Sequence, residues 1–223
     1  MASPHRAFVL RHTTLQQVPS LEEVRLHLAE EVLPLWHDVQ VESGDNDSPP
    51  PYWAFAWGGG LAIGRYLRDH PEAVAGKRVF DFAAGSGICA IAALNAGAAH
   101  AIGADIDPFA CAAMELNAKA LGAAGKRLTI TSRDVLDDEP PDVDVILAGD
   151  CWYAEGLAER VRPWLLRAHA AGIEVLAGDP GRRYTPKDDF DEVGSYLVRT
   201  TTELEDQDRK QAWVYRLKPG LRA

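Results

Sequence analysis

Apolar positions follow two periods along the chain. Leu21, Val24, Leu28, Val32 and Leu35 recur at helical spacing behind a Ser20–Glu23 capping box, which predicts a helix over 20–35. Residues 42–51, rich in Gly, Asp, Ser and Pro, predict a loop or linker. Beyond it, short apolar runs alternate with amphipathic stretches. Helices are predicted over 61–68 and 88–96, over 108–120 behind Pro108, and along the face of Leu157, Val161, Trp164, Leu165 and Ala168. Strands are predicted over 78–83, 100–105, 127–132, 143–148 and 173–177. Two more, over 195–203 and 211–217, lie close enough in sequence to form a hairpin.

Strand–helix alternation at this spacing predicts an α/β fold. Its sheet is doubly wound, seven-stranded and mostly parallel, with an antiparallel C-terminal hairpin and helices on both faces. The division it suggests is an N-terminal helical arm and linker over 1–50 and one domain over 51–223. A single core can reach roughly 250 residues, so the 223 residues do not demand more.

Charge narrows the partners. Lys and Arg number 23 against 33 Asp and Glu, a formal net charge of −10. That disfavours a grip on bare nucleic acid and suits a basic partner surface or a small ligand. No apolar run reaches the roughly 18 residues of a membrane span. Residues 1–15 are mixed and lack an apolar signal core, and the three cysteines (Cys89, Cys111, Cys151) are odd in number. A cytoplasmic, monomeric protein with reduced thiols is expected. Neither cysteines nor histidines show metal-ligand spacing, so no metal is expected.

The chemistry begins at Asp81-Phe82-Ala83-Ala84-Gly85-Ser86-Gly87, on a strand-to-helix junction. Glycines there permit a tight turn and close backbone approach to a ligand, and the run fits the general dinucleotide pattern. Asp81 separates the cofactors, because a carboxylate repels a pyrophosphate but can accept hydrogen bonds from an ammonium group. S-adenosylmethionine carries an ammonium and a sulfonium and no phosphate, so it suits the loop better than NAD. Asp105 ends the second strand of the domain, where a carboxylate can hold both ribose hydroxyls. Asp134 and Val135 follow the third, within reach of an adenine amino group.

With these residues in place, the chain from Pro51 onward resembles the seven-β-strand S-adenosylmethionine-dependent methyltransferases. Trp57-Gly58-Gly59-Gly60 before the glycine loop and Asp150-Cys151-Trp152-Tyr153 after the fourth strand are similar to the protein-lysine branch. PPYWAFAWGGG (50–60) and GDPGR (178–182) most resemble the methyltransferases of the electron transfer flavoprotein β-subunit, as does LHLAEEVLPLW (26–36) in the arm. The resemblance implies S-adenosylmethionine held by Trp57, Asp81, Ala83, Gly85, Gly87, Asp105, Asp134 and Val135. It implies Asp150 and Tyr153 as catalytic residues and a lysine-bearing protein as acceptor, the flavoprotein β-subunit or a ribosomal protein. Methyltransferases of planar amides and base amino groups usually carry [DN]PP[YF] at the Asp150 position, and this chain lacks those prolines.

A lysine must lose its proton before it attacks a methyl group. Its ordinary pKa lies about three units above neutral pH, a cost of roughly 4 kcal/mol. Aromatic walls reduce that cost by disfavouring the ammonium, and Trp53, Trp152, Trp57 and Tyr153 are candidates. Asp150 can accept hydrogen bonds from the amine and orient its lone pair. The expected activity is therefore protein-lysine N-methylation. Ribosomal-protein or small-molecule N-methylation on the same fold is the alternative, and a cofactor-binding module without catalysis or a nicotinamide oxidoreductase stand behind it. The acidic runs 188–192 and 203–208 are expected to be solvated. Removing residues 1–45 is expected to spare cofactor binding and reduce protein methylation.

Overall fold

The computed structural model describes residues 3–200 and 209–221. Helix α1 (Pro4–His12) leads into a two-stranded antiparallel hairpin, β1 (Thr14–Val18) and β2 (Leu21–Leu28), and then helix α2 (Val32–Ser43). The helix expected over 20–35 is therefore a strand followed by a separate helix. Val24, Leu26 and Leu28 alternate, and with Leu21 they are buried beside exposed Glu22, Glu23 and Arg25. Ser20 caps nothing. It takes a left-handed φ of 68° at the hairpin turn. Positions 24 and 28 fit both periods, Leu26 fits only the strand's, and burial of all three against the main core decides for the strand. The 203–208 acidic run lies outside the described residues.

Past residue 51 the chain runs α3 (Gly58–Asp69), β3 (Arg78–Phe82), α4 (Ile88–Asn95), β4 (His100–Ala104), α5 (Pro108–Ala120), β5 (Leu128–Thr131) and β6 (Val145–Gly149). It continues with α6 (Glu155–Ala170), β7 (Glu174–Asp179), β8 (Phe190–Arg199) and β9 (Arg209–Leu217). The sheet order is β5-β4-β3-β6-β7-β9-β8. Pairs among the first five strands are parallel, whereas β9 is antiparallel to both its neighbours. The expected sheet is thus present, with its hairpin folded so that the last strand lies inside the edge.

Each face of the sheet carries its own apolar layer. Leu61, Leu67, Ile91 and Val145 form one, and the hairpin's Leu21, Val24, Leu26 and Leu28 are part of that same cluster. Phe80, Ile146, Trp152, Trp164 and Phe190 belong to the other. A third cluster ties α1 and α2 to α5 through Phe8, Leu35, Trp53 and Phe109. The 188–192 run is solvated at Asp188, Asp191 and Glu192, but Asp189 is buried and its carboxylate takes both hydrogen bonds of the Arg162 guanidinium, at 2.6 and 3.1 Å, while Phe190 enters the core. β8 accordingly starts five residues before the predicted strand.

From β3 the chain winds outward to β4 and β5, then crosses back to β6 on the other side. Ligands bind doubly wound sheets in the crevice above such a switch point, at the carboxyl ends of the strands. The ends of β3, β4 and β6 carry Asp81, Asp105 and Asp150.

Candidate active site

A cleft of about 560 Å³ opens above those strand ends, within the range of small-molecule sites. Its floor is the β3–α4 loop. Gly85 and Gly87 take φ of 53° and 80°, and Ala83 takes 50°. Glycine adopts this region without penalty, whereas an alanine there is strained. The loop is held from behind: buried Asn117 of α5 donates from Nδ2 to the Ser86 carbonyl at 2.9 Å, and its Oδ1 accepts from the amide of His27 in β2 at 2.7 Å. The N-terminal hairpin is thereby bonded through one side chain to the glycine loop.

Two carboxylates face the nucleoside end. Asp81 is buried, and its Oδ2 accepts from the Ala90 amide at 2.8 Å. Burial pushes its carboxyl well above the usual range, so an incoming cation would restore the charged form. Asp105 accepts from the Gly85 amide at 2.8 Å through Oδ2 and from the Asp107 amide at 3.0 Å through Oδ1. A carboxylate has about four lone-pair sites, so both oxygens can still accept a hydroxyl. Asp107 also lines the cleft while capping α5 through the Phe109 amide, and burial pushes its carboxyl up to about 6.

At the opposite end, Asp150 follows β6 with a left-handed φ of 54°. Its Oδ2 accepts from the Gly60 amide at 2.8 Å, at the N-terminus of α3, where carboxylates are favoured. Its Oδ1 is buried and accepts no hydrogen bond, although the Arg182 Nη2 stands 3.7 Å away. Burial pushes this carboxyl up to about 6 against the opposing pull of Arg182. The Arg182 guanidinium also lies over the Trp57 ring, 5.8 Å from its centroid. Tyr52 packs on Trp57 and on Tyr153, with centroids 5.7 and 5.3 Å apart, so three aromatic rings form the mouth.

The three-glycine turn has a steric origin. A Cβ on Gly59 would lie 2.2 Å from the Gly178 carbonyl oxygen, and one on Gly178 would lie 2.2 Å from that of Gly59. The start of α3 therefore packs backbone on backbone against the end of β7, and this contact sets Asp150 between the two.

Of the predicted residues, Trp57, Asp81, Ala83, Gly85, Asp105, Asp134, Val135, Asp150, Tyr153 and Trp53 all line the cleft. Gly87 does not; it caps α4 and faces Met114 behind the loop. Trp152 is not a wall of the site. It is fully buried under the sheet and meets Phe190 edge-on, because the left-handed turn at Asp150 directs the next side chains inward. Trp53 is 1% exposed and stacks on Phe109, so it underlies the cleft as core rather than offering a free face. Asp134 is held at the rim by Arg160 at 3.0 Å and by the Leu136 amide. Sequence reasoning gave no role to Arg182, Tyr52 or Asp107. Arg182 stood in the quoted GDPGR run, but only the fold shows that it reaches Asp150.

Comparison with known proteins agrees with this geometry. The family pattern of ribosomal protein L11 methyltransferase (PrmA) matches residues 69–149. The electron transfer flavoprotein beta subunit lysine methyltransferase of Xenopus laevis is 36% identical over 178 residues, 79% of this chain and 70% of that protein. The human protein of the same description is 32% identical over 223 residues, 96% of this chain and 82% of its own. A rat relative reaches 42% over 133 residues, about half (51%) of that protein. Among solved structures, an RNA methyltransferase from Salinibacter ruber with S-adenosyl-L-homocysteine superposes with a TM-score of 0.50 at 15% identity, covering 71% of this chain and 92% of that one. That last likeness concerns the fold alone.

Fold and cleft together define the class: a methyltransferase on a doubly wound seven-stranded sheet. Within it, the chain belongs to the electron transfer flavoprotein beta subunit lysine methyltransferase family.

Proposed function

We propose that this protein is an S-adenosylmethionine-dependent protein-lysine N-methyltransferase, with lysines of the electron transfer flavoprotein β-subunit as acceptors. The observation that carries the reading is the acceptor end of the cleft. There a buried carboxylate oxygen without a hydrogen-bond donor, Asp150 Oδ1, lies by a mouth of Tyr52, Trp57 and Tyr153. A slender, flexible amine entering between the rings leaves its water behind, and its ammonium form is disfavoured. Asp150 then accepts a hydrogen bond from the neutral nitrogen and aims its lone pair, which is where most of the catalytic advantage of a simple displacement lies.

Bound in this cleft, S-adenosylmethionine supplies a methyl group activated on a sulfonium. Asp81 would face its ammonium, Asp105 its ribose hydroxyls, and the β3–α4 loop its main body. Asp134 and Val135 would edge the adenine, with the Asp134 carboxylate shared with Arg160.

The ribosomal-protein alternative draws on the match over residues 69–149, which stops one residue before Asp150. That stretch is the nucleoside half of the fold and bears little on the acceptor. Three unpaired cysteines support a reducing compartment such as the cytoplasm. To test the reading, the enzyme is incubated with labelled S-adenosylmethionine and the flavoprotein β-subunit, a basic ribosomal protein or free lysine. Label on flavoprotein lysines is expected. Label confined to free lysine, or found on arginine or glutamine, rejects the protein-lysine assignment, and label on the ribosomal protein alone rejects the partner.

A further inference from the structure

Arg182 follows β7 and enters the acceptor end from the side opposite α3. Its guanidinium lies over Trp57, its Nη2 stands 3.7 Å from Asp150 Oδ1, and its charge reaches both mouth tyrosines. The backbone holds it there. Gly181 has a left-handed φ of 87°, and the amides of Gly181 and Arg182 both donate to Asp179 Oδ1, at 2.7 and 2.6 Å. Two turns thus meet at one point, the Asp150 turn after β6 and the Arg182 turn after β7.

We propose that Arg182 is a positioning residue for methyl transfer: seated over Trp57, its guanidinium keeps the buried Asp150 an anion and aimed at the place where the amine nitrogen sits. This deepens the lysine reading and rests on it. The argument is one of competing charges. Asp150 is faced by Asp179 from the end of β7, by the thiols of Cys89 in α4 and Cys151 beside it, and by the Gly59 and Gly60 amides of α3. Burial and Asp179 favour the protonated acid, the amides give partial compensation, and Arg182 is the one full positive charge among these groups. A protonated Asp150 would offer the amine a hydrogen to share rather than an oxygen to accept. The pair also carries no net charge, so an ammonium entering the mouth gains little and the neutral amine is not outcompeted.

The test follows the Asp150 carboxyl by carbon-13 NMR of labelled aspartate across pH, with Asp150→Asn for assignment and no acceptor protein present. The wild-type carboxyl should titrate near about 6. Arg182→Gln should raise that midpoint by about one pH unit or more, and Arg182→Lys, which keeps the charge, should leave it nearly in place. In methyl-transfer assays the acid limb of the kcat profile should move with it. For a one-unit shift Arg182→Gln then loses roughly threefold near pH 6.5, approaches tenfold below about pH 5.5, and recovers in mild alkali. An unmoved midpoint in Arg182→Gln overturns the proposal, as does an equal shift in both variants. Should Arg182→Gln not fold, Arg182→Lys decides: an acid limb that stays with a lowered kcat supports the proposal, and one that moves by about a unit overturns it. Because the titration needs no acceptor, an absence of lysine methylation counts against the proposed function and leaves this result separate.

Discussion

Asp105 gives both its oxygens to main-chain amides, one on each side of the cleft floor. Asp105→Ala should therefore remove a ligand contact and loosen the Gly85 amide together. Calorimetry should show S-adenosylmethionine binding weakened by about 1–3 kcal/mol, the usual loss for a hydrogen bond to a charged acceptor. Asp150 makes a second claim, on stability. Its folded carboxyl titrates near about 6, above its ordinary value near 4 in the unfolded chain. Between those values the folded state holds the extra proton, so stability falls as pH rises from about 4 to about 6. The fall from this group is roughly 3 kcal/mol, and urea melts of Asp150→Asn should show a decline shallower by that order. At this scale the sequence was readable wherever the chemistry is local. Asp81, Gly85 and Asp105 sit at strand ends whose positions follow from short apolar runs. Trp152 was not readable, because its direction depends on the left-handed backbone of Asp150, and Arg182 was not, because its partner lies 32 residues earlier across a helix.

Among the elements, α3 separates two kinds of close contact. Gly59 meets the Gly178 backbone, which has no rotamer to change, whereas Gly64 would place a Cβ 2.5 Å from the flexible end of Leu21. Alanine in a helix gains about 1 kcal/mol over glycine. At Gly64 that gain offsets part of the repacking, so Gly64→Ala should change stability modestly. At Gly59 it cannot, because α3 and β7 must part. Gly59→Ala should cost more than about 3 kcal/mol in chemical denaturation and abolish methyl transfer with it. The helices and strands from α3 to β7 were legible as amphipathic stretches and short apolar runs, whereas the start of β8 at Phe190, behind acidic residues, was not. The first strand of real consequence, β2, was not either, since Val24 and Leu28 satisfy a helix as well as a half-buried strand, and the helical spacing of Leu21, Val32 and Leu35 hid the alternation of Val24, Leu26 and Leu28.

For the molecule as a whole, the hairpin's place in the main core changes what a truncation does. Burying an aliphatic side chain contributes about 1.5–3 kcal/mol, so Leu21, Val24, Leu26 and Leu28 together approach the entire 5–15 kcal/mol stability of an ordinary domain. Removing residues 1–45 should therefore unfold the protein rather than spare cofactor binding, visible as a lost cooperative thermal transition. A finer cut of the same link is Asn117→Ala, which keeps the hairpin but leaves the His27 amide and the Ser86 carbonyl without their partner. It should raise the KM for S-adenosylmethionine more than it lowers kcat, since the glycine loop is what shifts.

The order of the sheet also has a meaning in time. β8 is the outermost strand, yet its neighbour β9 is made after it and slots between β8 and β7. While the chain emerges from the ribosome, β7 thus presents an open, apolar edge, and β8 has nowhere to pair until β9 arrives. Such edges invite pairing with other chains. A nascent chain arrested after Arg199 should be held by chaperones and cut readily by protease, and extension through Leu217 should end both at once. β9 is then a latch on synthesis: the strand ends that carry Asp150 and Arg182 become a working site only once it has been made and has paired with β7.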